Sequence, residues 1–97
     1  MRAYVALDAE GLQRLRDGGP ARGTRVVAAS EDEQDEFDAM AEAAEHGPVV
    51  AAAEVEATDE VITLTEVEAL HVDVDGSGDL AWYATQEVDV VLALLHP

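Results

Sequence analysis

Cysteine is absent from this chain. That excludes disulfides and thiolate-held zinc or iron–sulfur centres, leaves stability to burial alone, and fits a reducing cytosol. Lysine is absent as well, so the five cations are all arginine: Arg2, Arg14, Arg16, Arg22 and Arg25. No apolar run approaches membrane-spanning length. The opening residues, MRAYVALDAE, carry one arginine and few apolar residues before Asp8, unlike a signal peptide. The expectation is a cytoplasmic protein without a membrane partner. No glycine-rich phosphate loop follows the first apolar segment, no G-x-S-x-G nucleophile motif occurs, and no internal repeat is present. Ser30 reads as a helix cap and Ser77 as a turn residue, which leaves nucleophilic catalysis without a candidate. Carboxylate pairs occur throughout the chain and therefore single out no acid–base site.

What is abundant is negative charge, with a formal sum of −17. Only Asp8, Glu10 and Asp17 of the 22 acids share residues 1–25 with the arginines; the other 19 lie in residues 26–97, which hold neither Lys nor Arg. Self-repulsion on this scale keeps a domain dispersed but destabilises it, most at low salt. Phosphate binding requires cations, so nucleic acid is excluded as a partner. Two readings of the acidity compete. One is bulk composition of the kind that high-GC genomes and salt-loving organisms produce. The other is a surface shaped for a basic partner, or one that imitates nucleic-acid phosphates.

At 97 residues, 48% of them hydrophobic, the chain has room for one core, burying ~60–65% of the surface its unfolded form exposes. A single domain over residues 1–97 is expected. RAYVAL puts Ala3, Val5 and Leu7 on one face of a strand, and Asp8 can cap the helix AEGLQRLRD. In that helix Leu12 and Leu15 face the core, Glu10 and Arg14 pair at i,i+4, and Gly18-Gly19-Pro20 supplies the stop. TRVVAA predicts a second strand closed by Ser30, which with Glu33 forms a capping box. A helix is predicted from about Glu31 to Glu45, with Phe37, Met40, Ala41 and Ala44 toward the core. His46-Gly47-Pro48 ends it.

Within that helix EDEQDEFD places six acids in eight positions, namely Glu31, Asp32, Glu33, Asp35, Glu36 and Asp38. They complement the positive end of the helix dipole, so a solvated helix face accounts for them structurally. The functional reading is a docking surface for the arginines or lysines of a partner.

The second half is strand-rich. VVAAAEVEA and VITLT, separated by TDE, predict an antiparallel hairpin. TEVEALHVDV predicts one helical turn capped by Thr65 with Glu68, then a strand with Leu70, Val72 and Val74 on one face and His71, Asp73 and Asp75 on the other. LAWYAT reads as a further strand whose adjacent Trp82 and Tyr83 point to opposite faces, so that one of them enters the core. Val88, Val91, Leu92 and Leu95 fall at helical spacing in a terminal helix from about Gln86 to Leu95. The order predicts an α+β fold of two layers, a mostly antiparallel sheet with helices packed on one face.

The turn DVDGSGD invites a calcium reading. Asp73, Asp75 and Ser77 stand at alternate positions, Gly78 and Leu80 match the glycine and apolar positions of an EF-hand loop, and Asp79 adds a carboxylate. The twelfth position, however, is Ala84 where a bidentate Glu is needed, and the flanks read as strands where helices are needed. A Ca²⁺ site at Asp73, Asp75, Ser77 and Asp79 is therefore secondary to a plain tight turn. His71 with Asp73 and Asp75 is a second metal candidate, but no further histidine stands nearby. His46 and His96, beside prolines, read as surface imidazoles.

MRAYVALDAEGLQRL, DEFDAMAEAA, LTEVEALHVD and LAWYATQEVDVVLALL together resemble a family of small uncharacterised actinobacterial proteins classed as a domain of unknown function. Leu64–Asp73 and Trp82–Glu87 carry the most specific part of the likeness. Members of that family are longer between the HVD and WY strands, so this chain resembles a shortened member in which VDGSGD is the remnant connection. The resemblance implies a cytoplasmic α+β protein and supplies no activity, cofactor or catalytic residue. The sequence thus points to a non-enzymatic acidic interaction or regulatory module, with Ca²⁺ binding as the alternative.

Overall fold

The alternation Ala3, Val5, Leu7 takes the form the sequence predicts. In the computed structural model, which describes residues 2–55, 61–73 and 80–95, Arg2–Leu7 is strand β1 and Ala9–Arg16 is helix α1. Asp8 caps α1 by accepting from the Gly11 N–H at 2.8 Å, and Leu12 and Leu15 are fully buried, each worth about 1.5–3 kcal/mol. Arg14 pairs with Glu10 at 2.8 Å, and Gly18, at φ +89°, turns the chain out of the helix. Gly23 then crosses β1 so closely that a Cβ there would sit 1.9 Å from the Ala6 carbonyl oxygen, so only glycine fits.

The chain continues through β2 (Thr24–Val27), α2 (Glu33–Ala44), β3 (Val49–Glu54), a 3₁₀ turn (Leu64–Glu66), β4 (Val67–Val72), β5 (Ala81–Ala84), a second 3₁₀ turn (Thr85–Glu87) and α3 (Val88–Leu95). The five strands lie in the order β2-β1-β3-β4-β5, every neighbouring pair antiparallel. The α+β class and the antiparallel sheet are those predicted.

The placement of the helices differs. α1 and α3 pack on one face over Val5, Leu7, Val49 and Leu70, whereas α2 lies on the opposite face over Tyr4, Val50 and Ala52. The reason is that Val49 to Ala53 are buried without a break. A central strand apolar on both sides needs cover on both sides, and its alanines admit a helix closely on each.

Further corrections concern the start and inward side of α2. Its cap is Asp32, which accepts from the Gln34 N–H at 2.9 Å. Ser30 closes the turn before it, its Oγ accepting from the Asp32 N–H at 3.0 Å and donating to Asp35 at 2.6 Å. A carboxylate at the cap gains from the helix dipole as well as the hydrogen bond. The buried stripe is Ala39 and Ala43 flanked by Met40 and Ala44, while Phe37 is 57% exposed and Ala41 is exposed.

VITLT is not a strand. Ile62 makes a single antiparallel bridge to Ala21, with both N–H···O contacts at 2.9 Å. The following turn is capped two residues earlier than predicted: Glu66 accepts from the Thr63 N–H at 2.9 Å. The strand that pairs with β3 is therefore β4. The TDE interval, Val74 and His96 lie outside the described residues. Tyr83 packs on the main core and Trp82 faces outward, as their adjacency requires.

Candidate functional site

β1 begins with a residue that gathers three strands and a helix. Arg2 stands opposite Glu54 in the β1–β3 register, its Nε buried and 3.5 Å from the Glu54 carboxylate. One Nη reaches Glu68 of β4 in a short charge-assisted contact, and the other lies 3.9 Å from Glu36 of α2. Glu68 is in reach because of a register shift: Ala52 faces Ala69 but Ala53 faces Val67. Glu68 is thus the extra residue of a bulge, which re-aims its side chain toward Arg2 while Val67 stays in the core. Burial alone would lower the Arg2 pKa, but Glu68, the Tyr4 hydroxyl and Glu36 outweigh it and hold the guanidinium above its ordinary value. Tyr4 in turn is raised, by burial first and then by Glu36, so it keeps its proton.

Beside this cluster a groove of ≈ 420 Å³ runs between α2 and the β4–β5 side of the sheet. Tyr4, Ala52, Ala69 and His71 form its floor, Phe37 and Met40 its helical wall, and Trp82 its far wall. His71 and Trp82 are a cross-strand pair and so share this face. Burial holds the His71 imidazole below its ordinary value. Glu33, Glu36 and Glu68 line the same groove against the single guanidinium of Arg2.

The six acids of the α2 segment do not share one direction. Asp32 is the cap. Asp35 and Asp38 face β2, the first bound to Ser30 and the second accepting from Gln34 Nε2 at 2.9 Å. Glu31 borders a separate cavity with Ser30, Val27 and Arg2, and Glu33 and Glu36 look into the groove. Glu31, Asp32, Glu33 and Asp38 are exposed, and Asp35 and Glu36 are half-buried. Of the metal candidates, Asp73 follows β4 and is half-buried; Asp75, Ser77 and Asp79 lie outside the described residues. Among the described residues no group of three or more His, Cys, Asp or Glu side chains could hold a metal ion, and no helix is long and apolar enough to cross a membrane.

Arg2, Glu54 and Glu68 escape a sequence reading because they meet only through strand register. Phe37 and Trp82 were visible as residues but not as facing walls. No family model, curated protein or solved structure matches this chain.

Proposed function

We propose that this chain is a non-enzymatic acidic interaction module that binds a basic protein partner through the N-terminal half of α2 and the surface beside it. The observation that carries the reading is the solvent exposure of Glu31 and Glu33 in a 72-residue stretch that contains no Lys or Arg. A hydrated surface with such an excess of carboxylates over the single guanidinium of Arg2 steers a cationic partner and repels an anionic one. An arginine-rich peptide labelled for fluorescence anisotropy tests it. Reversing Glu31 and Glu33 to Arg should abolish binding at low salt, whereas reversing Glu42 and Glu45, at the far end of the helix, should weaken it only slightly. Equal losses from the two pairs would reduce the interaction to net charge and refute a defined surface.

A further inference from the structure

The chain has one Phe and one Trp, and it exposes both, Phe37 by 57% and Trp82 by 62%. Its core is built from aliphatic residues, alanine and Tyr4 instead, with Tyr83 packed at the edge. Exposed large aromatics are unremarkable singly, but here they stand on opposite walls of one groove, joined by the floor of Tyr4, Ala52, Ala69 and His71. The groove exists because α2 packs mainly over the β2–β1–β3 part of its face, which leaves His71 and Trp82 at the β4–β5 side to its flank.

The rim fixes the charge of the occupant. Glu33 lies one helical turn from Phe37 and on the same side of α2, while Glu36 and Glu68 converge on Arg2 at the inner end. Three carboxylates against one guanidinium leave the groove negative, so a phosphate is repelled and a cation is drawn in. Aromatic walls favour a cation with a flat, weakly hydrated face, and carboxylates favour one with forked donors. Guanidinium has both properties and ammonium has neither. Arg2 already shows the pattern within the fold, held by Glu36, Glu54 and Glu68 beside Tyr4.

From this charge complementarity we infer that the groove between α2 and β5 seats one arginine side chain of a basic partner, stacked between Phe37 and Trp82 with Glu33 as its carboxylate. The inference rests on the basic-partner reading above and adds the side chain recognised and the residues that recognise it.

Because Trp82 is the sole tryptophan, its emission reports the groove directly. Titration with a short arginine-containing basic peptide should change that emission saturably, and the lysine counterpart should bind more weakly. Phe37→Ala and Phe37→Leu should each lower affinity roughly five- to thirty-fold with the melting temperature little altered, since the ring is not in the core. Leucine is the informative variant: full retention of affinity would mean a merely greasy wall and would overturn the stacking. Peptide binding that vanishes on reversal of Glu31 and Glu33 yet leaves Trp82 emission and the Phe37 variants unaffected would sink the groove while sparing the interaction module. No binding by either readout would remove both. An emission change that follows protein concentration without peptide would mean a second copy covers the groove, and the arginine site would fall.

Discussion

His71 lies on β4 across from Val50 on one side and Trp82 on the other, with Arg2, Tyr4, Glu33, Glu36 and Glu68 lining the same groove. Its imidazole is half-buried, and desolvation lowers its pKa from the 6.5 of a free side chain. Above that pH the ring is neutral in both folded and unfolded chains and contributes no pH dependence. As the pH drops through 6.5 the unfolded chain takes up the proton first, so stability falls, and the decline levels off once the folded imidazole protonates too. Urea denaturation between pH 8 and pH 5.5 should therefore show a decline that His71→Gln reduces. Parallel pH profiles for the two proteins would mean that the groove carboxylates cancel the desolvation.

α2 depends on Asp32 at its first turn, and the cap can be tested by contrast. Asp32→Ala should cost about 1 kcal/mol and Asp32→Asn only a few tenths, because asparagine keeps the acceptor. Ser30→Ala should cost about half as much as Asp32→Ala, since an exposed turn hydroxyl is lost but the helix keeps its cap. Chemical denaturation measures all three, and a larger loss at Ser30 would restore serine to the cap position. What was legible in the sequence follows from the same locality. Asp8, Leu12 and Leu15 are fixed by spacing within one helix, and α3 likewise declares its inward face over a few residues, whereas β1 buries Tyr4 and Ala6 as well as the predicted Ala3, Val5 and Leu7. α2 misleads because large side chains dominate a periodicity argument, whereas its contact is made by Ala39 and Ala43 over Tyr4 and Ala52. Small residues on both sides let helix and sheet approach closely, and Phe37 is displaced to the flank. The run VVAAA held the clue to helices on both faces, since a strand covered on one side alternates. The Arg2 cluster was out of reach: a one-residue bulge in β4 decides that Glu68 joins it, and local sequence does not encode register between distant segments.

Across the whole molecule, repulsion and pairing respond to salt with opposite sign, and their sum is measurable. The attractive pairs include Arg14 with Glu10, Arg16 with Asp89 at 3.1 Å, and the partly exposed Arg2 cluster. Exposed pairs of this kind contribute about 0–1 kcal/mol each and are weakened by screening. Against them stand 22 carboxylates with five arginines in a molecule of 35 × 31 × 20 Å. At 0.01 M salt the Debye length is about 30 Å, so carboxylates on opposite sides interact; at 1 M it is about 3 Å and only neighbours do. Screening should then remove more repulsion than attraction. Raising NaCl from ~0.01 to ~0.2 M, where the Debye length changes most, should raise the melting temperature by about 4–8 °C for each kcal/mol recovered. The same increase should weaken capture of the arginine-rich peptide, because complementary charge draws the two together. Calorimetry and anisotropy on one set of buffers would thus give slopes of opposite sign. A melting temperature that stays flat or falls over that range would show the arginine pairs to outweigh the excess of acids, and the acidic surface would have to be regarded as already compensated within the fold.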